Sequence, residues 1–315
     1  MALDPEYFQL KTALRKVWTN TDLLSTVQKE LIKSALENTS DEAYPSSEDQ
    51  LDDLQVALFA SELLKGFETP TVEWLNKNSR DVIAAFKRFI HQVSLYFQQY
   101  EKELPDEFID SLSKYILDCR AHVVTLNYDN LLYDPLCRRK ILSGFDGALI
   151  DGFTGKFNPT NLVRFGDRVK TLGWFLHLHG SPLFVGDRKL GGAGRAFLEA
   201  EEACHIVLTH VAHKLSVIQN SEVLSEYWER FEDALEESSE IIIFGYSGAD
   251  THLNKIVSKL AKEKLIGVVE WDGTGQYSTR LQFWKDTFVD CQFIHLTHSQ
   301  NVLDFKDWHT ATLPF

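Results

Sequence analysis

Four short polar clusters in this chain follow apolar runs, and each holds residue types that can handle a ribose, a phosphate or a proton. The first is Thr125–Leu126–Asn127–Tyr128–Asp129–Asn130. The Asn127 amide can hydrogen-bond a ribose hydroxyl or a water. Asp129 or Asn130 would equally serve as plain turn or helix-cap residues. The second is Leu178–His179–Gly180–Ser181. A histidine changes charge near neutral pH and so suits a general base, and the glycine lets a ligand approach the backbone. The bland alternative is a core histidine satisfied by its neighbours. The third is Gly245–Tyr246–Ser247–Gly248–Ala249–Asp250, where glycines between a strand and a helix form the usual cradle for phosphate or ribose, without a complete G-x-G-x-x-G. The fourth is Glu270–Trp271–Asp272–Gly273. A carboxylate about 20 or more residues past a glycine turn is often the one that holds ribose hydroxyls, so Glu270 or Asp272 could do this; Asp272–Gly273 could also be a simple turn.

Metal chemistry is not expected. His177 and His179 form an H-x-H pair, but no clear third ligand stands nearby. The cysteines Cys119, Cys137, Cys204 and Cys291 are scattered with no C-x-x-C, which speaks against zinc and reads as four buried thiols in a reducing compartment. His210 and His213 read as solvent-facing residues ahead of a helix, and the acid-rich run 229–240 as a solvated helix face.

The elements that must position these clusters change character near position 120. Residues 1–120 hold one glycine, Gly66. Leu51, Leu54, Leu58, Phe59 and Leu63 recur at helical spacing behind Ser46 and Ser47; Val82, Ile83, Phe86, Phe89, Ile90, Val93 and Phe97 form a second stripe; Asp106–Leu117 is a helix entered through Pro105. A helical region is expected over 1–118. Beyond it, apolar runs at 122–126, 175–178, 205–209, 240–244, 265–270 and 292–296 alternate with helical stretches at 220–237, 250–262 and 278–288. Strands without polar alternation are buried on both faces, the mark of a parallel sheet between helices. An α/β, mostly parallel, doubly wound domain is therefore expected over 119–315, with its ligand at the carboxyl ends of the strands.

Composition is ordinary and globular, with 44% hydrophobic and 25% charged residues in 315. The net charge of −14 argues against sequence-independent nucleic-acid binding. No run approaches the ~18 apolar residues of a membrane span, and the first ten residues lack the apolar core of a secretory signal, so a cytoplasmic location is expected.

In this order, the clusters resemble the sirtuin-type NAD-binding family. T-L-N-Y-D at 125–129 resembles the sirtuin T-Q-N-I-D motif, H-G at 179–180 the segment with the catalytic histidine, and G-Y-S at 245–247 the G-T-S ribose turn. The wording is closer to bacterial sirtuin-like proteins, whose members of known activity are often NAD-hydrolysing effectors of anti-phage defence. The resemblance covers roughly 120–300. It implies a Rossmann-like fold, NAD as substrate and cleavage of the nicotinamide–ribose bond. It also implies catalytic roles for Asn127, His179 and Asp129, and binding roles for Thr125, Tyr128, Gly180, Gly245, Tyr246, Ser247, Asp250, Glu270 and Asp272. Two features depart from the sirtuin pattern. No G-A-G-x-S phosphate loop precedes Gly66, and the four-cysteine zinc module of sirtuin deacylases is missing, which favours NAD cleavage over deacylation. The alternative reading is an inactive nucleotide-sensing or partner-docking module. A homo-oligomer or a second protein partner is expected, with Trp74 and Tyr96 as exposed anchors.

Overall fold

The computed structural model describes residues 3–36, 44–64, 73–143, 147–164, 166, 171–190 and 205–311. Five helices come first: α1 (Leu10–Thr19), α2 (Thr26–Ala35), α3 (Leu51–Leu64), α4 (Glu73–Gln98) and α5 (Asp106–Cys119). The stripe Ile83 to Phe97 is the buried face of α4, against which Ala13, Leu14, Val17 and Trp18 of α1, Ile32 of α2 and Leu51, Leu54 and Leu58 of α3 pack in one apolar core. Pro105 stands at the N-cap of α5, with Asp106 and Glu107 placed favourably in its first turn. The apolar face of α5 (Phe108, Ile109, Leu112, Ile116) belongs to a second core, shared with the β-strands that follow.

That second core surrounds two parallel sheets. β1 (Val123–Thr125) pairs with β5 (Gly173–His177), which pairs on its other side with β2 (Leu149–Ile150). Both pairings are parallel, and the register sets Thr125 opposite His177. The other sheet runs β8 (Glu240–Phe244), β9 (Leu265–Trp271), β10 (Phe293–Ser299), with β9 central and all pairs parallel. Helices α6 (Tyr133–Arg138), α7 (Val211–Gln219), α8 (Glu222–Glu237), α9 (Thr251–Leu260) and α10 (Tyr277–Thr287) connect and cover the strands. The α/β class with parallel sheets is as the unbroken apolar runs require.

Three local readings differ. Residues 205–209 form no strand; Ile206 makes only an isolated bridge to Gly180. The segment runs between the two cores, with Ile206 and Leu208 facing the helical core and Val207 the α/β core, so it carries a strand's alternation without a strand's partner. A small antiparallel sheet, β3 (Phe153–Thr154), β4 (Lys156–Phe157), β7 (Arg188–Lys189) and β6 (Phe184–Val185), went unread because two-residue strands leave no periodicity. The thiols are not uniformly buried. Cys119 is exposed at the end of α5, Cys137 and Cys291 are half-buried, and Cys204 lies outside the described residues. Of the two expected anchors, the side chain of Trp74 lies outside the described residues. Tyr96 is covered by Tyr7, stacked at 4.4 Å.

Phe89 is fully buried at the centre of the helical core, edge-on to Trp18. Phe89→Ala leaves a ring-sized void there, and urea unfolding is expected to show a loss of about 3–5 kcal/mol.

Candidate functional site

The turns that follow β1, β5 and β8 meet: the Tyr128 and His179 rings stand 6.5 Å apart, and His179 reaches Asp250. At the end of β5 the chain turns sharply. Gly180 has φ +80°, and a Cβ on it would lie 1.6 Å from the His205 carbonyl oxygen, so only glycine fits. The Gly180 N–H donates to the His177 carbonyl, and the Val207 N–H to the His179 carbonyl, which fixes the backbone around His179. The His179 side chain is nearly buried and its Nε2 lies 3.0 Å from Oδ2 of Asp250.

Asp250 ends the turn that begins at Gly245. Its Oδ1 accepts from the backbone N–H groups of His252 and Leu253, capping α9, while Oδ2 takes His179 and, at 3.1 Å, the Lys214 ammonium from α7. Burial pushes the Asp250 carboxyl up. The hydrogen bonds from His179 and Leu253 and the Lys214 charge outweigh that and hold it well below the usual carboxylate range. With Asp250 ionised, His179 Nε2 is the donor of this bond, so it is Nδ1 that a neutral ring would offer as acceptor. Lys214 carried no signal in the sequence, since one lysine on a helix is ordinarily a surface residue.

The turn after β1 lies beside this pair. The Leu178 N–H donates to the Thr125 carbonyl, and the Tyr128 and His179 rings stand 6.5 Å apart. Thr125 Oγ1 accepts from the Asn127 N–H, and the Asn127 side chain is exposed. Tyr128 donates its hydroxyl to the Val207 carbonyl, and its own carbonyl accepts from Gln98 of α4. Asp129 is buried and accepts from the Leu131 N–H; burial pushes its carboxyl up to about 6 against that bond. His177 and His179 do not act as a pair: His179 meets Asp250, while neither ring nitrogen of His177 has a hydrogen-bond partner among the described residues. His177 sits among Tyr133, Phe175 and Phe184, and burial lowers its pKa to about 4.

In the third cluster, Gly245 has φ +61°, in the left-handed region that favours glycine, with open space where a Cβ would stand. Ser247 is exposed and accepts from the Ala249 N–H. The Tyr246 hydroxyl takes the Asp250 N–H and reaches Asn254, locking the turn. In the fourth cluster the carboxylates diverge. Glu270 is buried, with its two oxygens bonded to Arg280, Trp284, His298 and Thr274. Asp272 is exposed in the short turn after β9 (Asp272–Thr274). His210 and His213 are half-buried rather than solvent-facing. His210 caps α7 and His213 pairs with Asp52 of α3. Among the described residues, no group of three or more His, Cys, Asp and Glu is disposed to hold a metal, and no helix is long and apolar enough to cross a membrane.

A buried carboxyl with a raised pKa destabilises the fold as it ionises. Asp129 holds its proton to about pH 6 in the folded chain against about 3.9 when unfolded. Its contribution is full below about pH 4 and is lost as pH rises to about 6. His177 works the opposite way over part of that range, so the variant difference is the measurement. Relative to wild type, Asp129→Asn should gain about 1–3 kcal/mol in urea unfolding between pH 4 and pH 7.

Residues 121–266 match the family model of the SIR2-like domain. The matched segment runs from before β1 to the start of β9 and includes the first three clusters. No curated protein matches the chain. The match supports a sirtuin-like domain of Rossmann-like fold and points to an NAD-related function.

Proposed function

We propose that this chain is an NAD glycohydrolase, cleaving the nicotinamide–ribose bond with water. The observation that carries the reading is the buried His179–Asp250 contact at 3.0 Å, on the strand-end edge that also holds exposed Asn127 and the open Gly245 turn. The arrangement supplies what the reaction demands. Departure of nicotinamide leaves positive charge on the ribose, as in other glycosidic cleavages. Nicotinamide leaves with the electron pair of the broken bond and so becomes neutral. Water adds to the ribose carbon, and its proton passes to Nδ1 of His179, whose imidazolium Asp250 then stabilises. The products are nicotinamide, ADP-ribose and a proton.

Each candidate residue has a role consistent with its surroundings. Asn127 hydrogen-bonds the ribose or the attacking water, and Asp129 holds the Asn127 turn. Thr125 and Tyr128 fix that turn, and Gly180 lets the His179 backbone bend. Gly245 and Ser247 border the ribose, and Tyr246 holds their turn closed. Of the two carboxylates read for the ribose hydroxyls, exposed Asp272 takes that role, and buried Glu270 anchors the end of β9. Asp250, read from the sequence as a binding residue, serves the reaction by orienting His179. No zinc enters this scheme. The family resemblance extends the proposal to a cytoplasmic defence effector, acting as a homo-oligomer or beside a second protein.

Nicotinamide release from NAD is the test. His179→Ala and Asn127→Ala should each lower turnover by ~10²–10⁴-fold with the circular dichroism spectrum intact. Ser247→Ala should raise KM with kcat nearly unchanged, because the ribose turn binds ground and transition states alike. Cys291→Ala should change neither. An inert wild-type chain, or full turnover by His179→Ala, would overturn the assignment.

A further inference from the structure

Lys214 is buried, yet it reaches this edge from α7, and its surroundings are unusual for a lysine. The ammonium lies between two carboxylates, 3.1 Å from Asp250 Oδ2 and 3.6 Å from Glu48 Oε2. Asp250 Oδ2 is also the oxygen that His179 Nε2 meets. One carboxylate oxygen therefore serves a fixed cation and a titrating imidazole together. Glu48 comes from the stretch just before α3, so the second carboxylate belongs to the helical region.

We propose that Lys214 is a positioning residue of this site, whose ammonium offsets the Asp250 carboxylate and so keeps His179 in its proton-accepting form. The proposal rests on His179 being the base. An unbalanced carboxylate against an imidazole favours the imidazolium, which cannot accept a proton. With Lys214 on the same oxygen, the attraction is divided. Asp250 can still orient the ring and stabilise the imidazolium once the reaction forms it. Glu48 acts in the opposite sense, because it draws on the same ammonium. Its side chain is more exposed than that of Asp250, so its influence is smaller. The other groups facing the pair are Tyr128, beside His179, and His252, at the start of α9. Burial raises the Tyr128 hydroxyl and lowers His252. Next along α7, His210 and His213 face Asp49 and Asp52 rather than His179.

The full chain is titrated by proton NMR of its histidine ring C–H signals, with His179→Gln identifying the His179 signal. Nicotinamide release from NAD is followed over the same pH range. Lys214→Met keeps the side-chain volume and removes the charge. It should move both the His179 titration and the acid limb of the rate profile up by about one pH unit, and Lys214→Arg should restore them. Glu48→Gln should move both down, by about half as much. A His179 titration that stays in place or moves down in folded Lys214→Met overturns the proposal. If Lys214→Met does not fold, Glu48→Gln decides, and an unmoved or upward His179 titration overturns it. An inert wild type would defeat the NAD reading, while the NMR arm would still judge Lys214.

Discussion

The Asp250 carboxylate is the interaction on which the site depends. One oxygen closes the N-terminus of α9 and the other receives His179 and Lys214. A buried carboxylate is tolerable only when such partners replace the water it loses. Here they come from three different parts of the chain. The strand-end turn at 245–250, the turn after β5 and helix α7 are thus held to one point. Breaking a buried ionic contact from one side costs about 3–5 kcal/mol, because the partner is left charged and unpaired. The orientation of the His179 ring and the integrity of the domain are consequently not separable at this residue.

The helical region is built into the same arrangement rather than simply attached to it. Gln98, at the end of α4, donates to the Tyr128 carbonyl and stands 3.4 Å from the Ser181 hydroxyl. The Tyr128 ring stacks on Phe97 at 6.2 Å. The turn after β1 is therefore gripped from the helical side while its backbone is set by β5. The extended segment at 205–208 sends alternate side chains into the two cores and pairs with the Gly180 turn, which links both cores to the backbone around His179.

Those parts of the fold whose cause is local were legible in the sequence. Apolar runs announced β8, β9 and, despite His295, β10, and the i, i+3, i+4 stripe from Val82 announced α4. The strand-end clusters stood out because glycine, asparagine and histidine follow apolar runs there, although turn and cap chemistry gives the same residues. What was not legible depends on contacts distant in sequence. Nothing near Lys214 announces that Asp250 and Glu48 will converge on it. Glu270 and Asp272 stand two apart and could not be ranked; the fold separates them by burying the first against Arg280 and His298. The segment 205–209 misled because burial between two cores produces the same alternation as burial in a sheet.

The buried polar cluster behind the site shows how a supporting network differs from a reactive one. Tyr133 donates to Asp151 Oδ2, Lys189 donates to both, and the Tyr227 hydroxyl donates to the Asp151 carbonyl. Its composition of tyrosine, aspartate and lysine, with His177 alongside, would suit proton transfer. Yet the Lys189 charge is matched by Asp151, burial raises the pKa of the Tyr133 hydroxyl, and burial keeps His177 neutral at physiological pH. The Tyr133 hydroxyl keeps its proton and the His177 ring stays uncharged. His177 sits opposite Thr125 in the β1–β5 register, two residues before Asn127 on one strand and two before His179 on the other. His177 thereby ties the cluster to the strands from which both turns spring, and on the proposed reading the chemistry falls to the side chains that the same strands carry past their ends.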